Sequence, residues 1–401
     1  MNCQIGVFAD TLEYFKQILV EPVMRLITIA ALITILPACS TITAISGGSV
    51  LQVGPERSLR MPSQAARVAR DGDIIEIDAG EYLNDFTTWH QNDLTIRGIG
   101  GMAHLRANKM IPNGKAIWIT QGNNNVIENI EFSGARVRNT NGSGIRHQGG
   151  NLTLRNTYFH HNEFSVLSGR NIAAHIDVRR SRFWHQRRPT RWSHGIYIGE
   201  AGRLTLIGNH FLGTDTGHHI KSRARQNYIL YNRIEDIPDG NASRSIDLPN
   251  CGLSYVVGND LHQGATARNL NIIGYGMEGC EGRSEREKQL YVAHNTLINE
   301  SHNSTFVWTQ SGGHALVMNN LLYGPGTILR GPGEETNNLL LPEQSHPGWH
   351  LPVGSPAIGA AVALPAEYPS MTPTREFQPP IGCVTRPQTQ DIGSREAPKP
   401  D

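Results

Sequence analysis

From about residue 123 onward, apolar positions alternate with polar ones in short runs that finish alike: an alternating stretch, then asparagine or another polar residue, then one large apolar residue. Val126-Ile127-Glu128-Asn129-Ile130-Glu131-Phe132, Leu204-Thr205-Leu206-Ile207-Gly208-Asn209-His210-Phe211 and Tyr255-Val256-Val257-Gly258-Asn259-Asp260-Leu261 are three copies. A period of two marks a strand with one buried face. The closing apolar residues fall at 132, 159, 183, 211, 234, 261, 297 and 322, with spacings of 27, 24, 28, 23, 27, 36 and 25. A period near 26 residues, built from short strands, predicts a solenoid in which each coil buries its apolar face on its neighbours. A propeller or jelly roll would show hairpins every ~8–12 residues, a pattern the sequence lacks. Asparagine suits the repeated turn because it tolerates left-handed backbone and its amide can bond to the same residue one coil away. The predicted fold is therefore all-β, a single-stranded parallel β-helix of nine or ten coils, a rod of roughly 45 Å at about 4.8 Å per coil.

Composition agrees with this pattern. The 401 residues include 42 glycines and 30 asparagines but only 7% aromatics. Hydrophobic residues at 38% with charged residues at 18% exclude a disordered polyampholyte. A mean hydropathy of −0.35 excludes a polytopic membrane protein. Met24-Arg25, an apolar run over 26–36 and Pro37-Ala38-Cys39 have the layout of an export signal ending in a lipobox. The expected organisation is a leader over 1–39, with the true start at Met24 and lipidation of Cys39. The β-helix is expected over 40–332, and a proline-rich segment over 333–401 packing on the last coils. Cleavage without lipidation and an uncleaved anchor are the alternatives for the leader. Cys251 and Cys280 could pair across neighbouring coils or remain buried thiols, and no cysteine–histidine spacing suggests zinc.

Ser63 to Ala69, followed by Asp71-Gly72-Asp73-Ile74-Ile75-Glu76-Ile77 and Gly80-Glu81-Tyr82, resembles the opening of the right-handed parallel β-helix superfamily typified by pectate lyases. Gly354-Ser355-Pro356-Ala357-Ile358 with Asp391-Ile392-Gly393 resembles the closing segment of its secreted members. The resemblance covers 60–395. It implies a right-handed solenoid with an N-terminal capping helix, and fold alone does not fix activity.

Each coil carries a further short strand, read as Gly144-Ile145-Arg146, Gly195-Ile196-Tyr197-Ile198, His219-Ile220-Lys221-Ser222, Ser245-Ile246-Asp247-Leu248 and Thr305-Phe306-Val307-Trp308. With the isoleucines inward, Arg146, Tyr197, Lys221 and Asp247 share one outward column, adjacent members about 5 Å apart. Lys221 is the one lysine between Lys115 and Lys288. Residues 134–225 hold fourteen arginines and Lys221 against Glu163, Asp177, Glu200 and Asp215, a local balance of about +11 within a chain of net charge +1, and nine of the 17 histidines lie between His147 and His219. A basic groove on a rigid rod suits a polyanion, while the chain's overall balance argues against a dedicated nucleic-acid binder.

A uronic-acid polysaccharide would be cleaved by β-elimination, which needs cations on the carboxylate, a base for the C5 proton and an acid for the leaving O4. The candidate catalytic residues are Lys221 as base, its pKa lowered by neighbouring cations, Tyr197 as acid, His219 and Asp247. The candidate substrate-binding residues are Arg146, His194, Arg223, Arg225 and Trp192. Asp247 could instead pair with Lys221 and hold it protonated.

Lys221-Ser222 with Asn232-Arg233-Ile234 and Gly258-Asn259 resembles the alginate lyase and chondroitinase B family, which implies a lysine base. Its next-coil arginine falls on Asp247, and its calcium-binding acidic pair falls on Thr214 and Thr216, so no cofactor is expected, with calcium left as an alternative whose ligands are unmatched. Ser193-His194-Gly195 and His219-Ile220-Lys221 are faintly similar to polygalacturonases, whose paired aspartates are absent. The expectation is an exported, monomeric lyase of the periplasm or outer membrane that acts on an acidic polysaccharide and touches the membrane only through a lipid anchor. The alternatives are a C5-epimerase and a lipoprotein that binds exopolysaccharide without cleaving it.

Overall fold

In the computed structural model, residues 48–186, 193–236, 241–302, 304–342 and 348–397 are described, all within the unit Gly47–Asp401. The leader, Cys39 and Trp192 lie outside them.

Strands pair in parallel from coil to coil and build three ladders. One coil shows the plan: Ala201–Ile207 lies in the first ladder, His210–Thr214 in the second and His218–Ser222 in the third. The first two ladders share one 21-stranded sheet, and the third is a 10-stranded sheet opposite. The fold is the parallel β-helix that the period predicts, with the right hand that the resemblance implies.

The closing positions form one unbroken register. Phe132, Phe159, Phe183, Phe211, Ile234, Leu261, Leu297 and Leu322 pair successively down the second ladder. Phe132 to Phe211 stack inward, with centroid separations of 5.1, 5.3 and 4.4 Å and near-parallel rings. All eight side chains are buried in the main core. Offset stacking adds to their area burial about 0.5–1.5 kcal/mol per pair.

At the corner between the first two ladders, Asn209, Asn232, Asn259, Asn295, Asn320 and Asn338 form a second column. Each amide Nδ2 donates to the Oδ1 of the next asparagine at 2.8–3.0 Å. The backbone N–H of each donates to the same oxygen. The left-handed position is the residue before: Gly208, Tyr231, Gly258, His294 and Asn319 have φ from 50° to 66°. The sequence reading assigned both jobs to one asparagine, which holds at Asn129 and Asn156, both at positive φ and joined by an amide bond; from Asn209 onward the corner divides them between neighbours.

The helix Pro62–Val68 caps the N-terminal end and buries Ala65 and Ala66. Gln91 donates its side-chain amide to the carbonyls of Ala66 and Ala69, which the last helical turn leaves without partners. At the other end, pairing continues past residue 332 through Gly333–Thr336 and Leu339–Leu341. Residues 348–397 pack on the last coils, where Leu351, Ala357 and Ile392 bury against Ile298, Leu321 and Tyr323, and also run back across earlier ones. Tyr368 and Met371 cover the Tyr228/Tyr255/Tyr291 stripe of the first ladder. Gly382 N–H reaches Gly208 O at 2.8 Å, and Arg395 pairs with buried Asp260 at 2.8 Å.

Candidate active site

The outward column on the third ladder exists, with two insertions. Its rungs are Ile119, Arg146, Leu167, Tyr197, Lys221, Asp247, Gly274, Trp308 and Arg330. Phe164–Ser168 and Asn271–Tyr275 supply two rungs that the sequence reading passed over. Leu167 therefore separates Arg146 from Tyr197. Arg146 is half-buried, and burial pushes its guanidinium below its ordinary range.

Tyr197, Lys221 and Asp247 do lie on successive rungs. Lys221 Nζ is 3.2 Å from Asp247 Oδ2 and 2.9 Å from Glu278 Oε1. Arg223 donates from Nε to Tyr197 Oη at 3.1 Å and pairs through Nη1 with Glu278 Oε2 at 2.7 Å. It also donates to Asn250 Oδ1. Lys221 Nζ and Arg223 Cζ lie 5.8 and 5.7 Å from the Tyr197 ring centroid, within cation–π range. Asp247 is 1% exposed and is held by Arg244 Nη1 at 3.0 Å as well as by Lys221. Arg244 fills the space over Gly274, where any Cβ would come within 2.9 Å of its Nε.

Three cations thus surround two carboxylates. Lys221 faces two carboxylates, one of them Asp247, the pairing that the sequence offered as the alternative to a lysine base. Burial alone would raise the Glu278 carboxyl, but hydrogen bonds and charge from Arg223 and Lys221 outweigh it and hold the group at about 2.

Glu278 was missed in the sequence, although the spacing of 36 between positions 261 and 297 signalled extra chain at this point. That extra chain carries Glu278 and is fastened over the column by the Cys251–Cys280 disulfide, with Cα atoms 5.3 Å apart. Arg283 ties it further, donating to Asn250 O at 2.9 Å and Arg223 O at 2.8 Å.

The histidines divide. His194 and His218 stack with centroids 5.1 Å apart at the edge of the column, and His218 Nε2 lies 3.4 Å from Asp247 Oδ2. His194 Nδ1 accepts the His218 backbone N–H at 2.9 Å, so the neutral ring carries its proton on Nε2. Burial, reinforced by surrounding positive charge, pushes both rings well below the ordinary histidine range. His219 does not join this group. It is 1% exposed, its Nδ1 faces Thr214 Oγ1 at 3.0 Å, and its Nε2 lies 3.4 Å from Asp236 inside the corner. Alternation alone put it outward; its ring instead lies buried between Thr214 and Asp236.

Arg225 pairs with Glu287 at 2.9 Å, away from Lys221. The linear excess of about +11 is likewise dispersed: Arg155, Arg170 and Arg179 pair with Glu128, Glu200 and Asp177 on other faces, and Arg182 lies over the Tyr158 ring. Thr214 and Thr216 bring no carboxylate to the expected calcium positions.

No protein-family model and no curated protein matches the sequence. Among solved structures the chain is similar to pectate lyase Pel9A, at 13% identity and a TM-score of 0.62, over 88% of this chain and 98% of that one. It is also similar to the GH136 lacto-N-biosidase from Eubacterium ramulus, at 10% identity and a TM-score of 0.47, over 73% of this chain and 68% of that one. At such identities the likeness shows the fold alone, a right-handed parallel β-helix.

Proposed function

We propose that this protein is a polysaccharide-acting enzyme whose Lys221 face cleaves a uronic-acid-containing polymer by β-elimination. The observation that carries this reading is the clasp on Glu278: Lys221 and Arg223 grip one carboxylate from two sides at 2.9 and 2.7 Å. A sugar carboxylate presents the same charge and the same pair of oxygens, and it takes this position when Glu278 withdraws. Bound there, it is neutralised by two cations, which makes the neighbouring C5 proton more acidic.

The geometry redistributes the roles expected from sequence. Lys221 and Arg223 form the carboxylate clamp, while buried Asp247, itself held by Arg244, orients Lys221. Tyr197 Oη, 3.1 Å from the same guanidinium, is the proton carrier nearest the clamp. As the phenolate, stabilised by the guanidinium, Tyr197 takes the C5 proton, and as the resulting phenol it returns that proton to the departing O4. The likeness in fold to pectate lyase Pel9A supports an enzyme acting on a polysaccharide. The Cys251–Cys280 disulfide supports export to an oxidising compartment. Lipid anchoring at Cys39 belongs to the same proposal.

The test is a panel of uronic polymers assayed for unsaturated product in the ultraviolet, with NMR in D2O alongside. Unsaturated product that disappears in Lys221→Ala and Tyr197→Phe supports the lyase. Exchange of H5 without chain shortening makes the protein a C5-epimerase instead. Salt-sensitive polymer binding with neither reaction makes it a binding lipoprotein.

A further inference from the structure

We propose that His104, Glu131 and His160 form a binding site for a divalent transition-metal ion. The site lies on the outer face of the second ladder, and its argument is independent of the Lys221 face on the third. The three residues come from three consecutive coils. His104 pairs in register with Glu131, and His160 pairs with Ser133, two positions along the same strand. Outward alternation therefore gathers all three side chains on one patch of the rod.

The ligand atoms already have coordination spacing. His160 Nε2 is 2.8 Å and His104 Nε2 is 3.5 Å from the same Glu131 oxygen, and all three atoms lie within 4.8 Å of one another. Ligands about 2.1 Å from a tetrahedral ion stand about 3.4 Å apart, so small side-chain adjustments admit the ion. The rings are held in place. Tyr158 packs on His160 at 4.7 Å between centroids, and the His104 and His160 rings are 5.7 Å apart. His161 Nδ1 meets His160 Nδ1 at 2.7 Å, an outer partner that leaves His160 Nε2 aimed at the site. Ser133 Oγ lies 2.7 Å from His104 Nε2 and is the neighbour an arriving ion would displace.

Two imidazoles and one carboxylate suit zinc, cobalt, nickel or copper, whereas calcium and magnesium prefer all-oxygen shells. Three protein ligands leave a fourth position for water. An ion here would bind three coils to one another and stabilise the folded chain by mass action.

The experiment uses the whole protein, stripped with chelator and dialysed. Zn2+ is titrated by calorimetry, Co2+ is followed by visible absorption, and melting is followed with and without Zn2+. The expected result is one equivalent per chain, a cobalt spectrum of tetrahedral type and a raised melting temperature. Binding should be at least tenfold weaker in Glu131→Gln and His160→Ala, and unchanged in His262→Ala, which alters a separate histidine–glutamate pair on the same ladder. Circular dichroism of each variant establishes that it is folded. Absence of a saturable equivalent for both ions, or full binding retained in both site variants, overturns the proposal and leaves a histidine–glutamate hydrogen-bonded cluster.

Discussion

The asparagine corner and the Lys221 face are built from the same coils and differ in what repeats. At the corner, each coil offers the chemistry of the one before, so a side chain's partner is its own kind one rung away. On the third ladder the rungs change from Leu167 to Tyr197, Lys221, Asp247 and Gly274. No member can satisfy itself on a copy, so the partners are charges brought from elsewhere: Arg244 from the strand edge and Glu278 from the inserted chain. Repetition yields rigidity, and its interruption leaves a carboxylate-binding position on a rigid support. Variants at the corner should therefore change stability, and variants on the face should change chemistry.

Lys221→Ala carries the largest expected effect, a loss of about 10^3-fold or more in product formation, because it removes half of the clamp. Its melting temperature should stay close to that of the parent, since Arg244 still holds Asp247. Equal loss of stability and activity would erase the contrast. Asn259→Leu should do the opposite and lower unfolding free energy by about 3 kcal/mol in denaturant titration, because it strips partners from Asn232 and leaves the Ile229 carbonyl unpaired. Its turnover should match the parent at temperatures where it stays folded. Cys280→Ser should cost about 2–3 kcal/mol by releasing the closed loop from Cys251, with weaker inhibition by Glu278 as a second sign.

The pH dependence separates the two regions further. His194 and His218 stay neutral in the folded state well below 6.5, whereas the unfolded chain takes up protons there. Stability should therefore fall as pH drops through about 6.5, by up to about 1.4 kcal/mol per pH unit for each ring. His218→Asn should flatten that slope, measured by denaturation across pH. Glu278 adds a second loss from about 4.5 down toward 2, because its carboxyl is held low in the fold. The smallest expected change is in Glu278→Gln. Removing the resident carboxylate should lower KM a few-fold, lower stability modestly at neutral pH because its pairs are partly exposed, and remove the loss between about 4.5 and 2.

Much of the fold could be read from the chain. The closing positions named from alternation are register partners without exception, because a solenoid puts the same interior before every coil. The column of Tyr197, Lys221 and Asp247 was readable for the same reason. What escaped the sequence lies where the repeat breaks. Phe164–Ser168 has no outward charge to mark it, so Leu167 went unseen. His219 lies within a strand, yet its ring is buried against Thr214 and Asp236, which alternation does not reveal. Glu278 stands 57 residues from Lys221, and only the folded inserted chain brings them together. The histidine-rich stretch was seen, but not that His160 meets His104, which precedes the region where the repeat was recognised.

The central claim is that a substrate carboxylate takes the place of Glu278 between Lys221 and Arg223. A crystal structure of Tyr197→Phe with a uronate oligosaccharide tests it most directly. The account predicts a sugar carboxylate within about 3 Å of Lys221 Nζ and of the Arg223 guanidinium, with the Glu278 side chain withdrawn. An oligosaccharide bound on another face, with Glu278 still clasped by both cations, would contradict it.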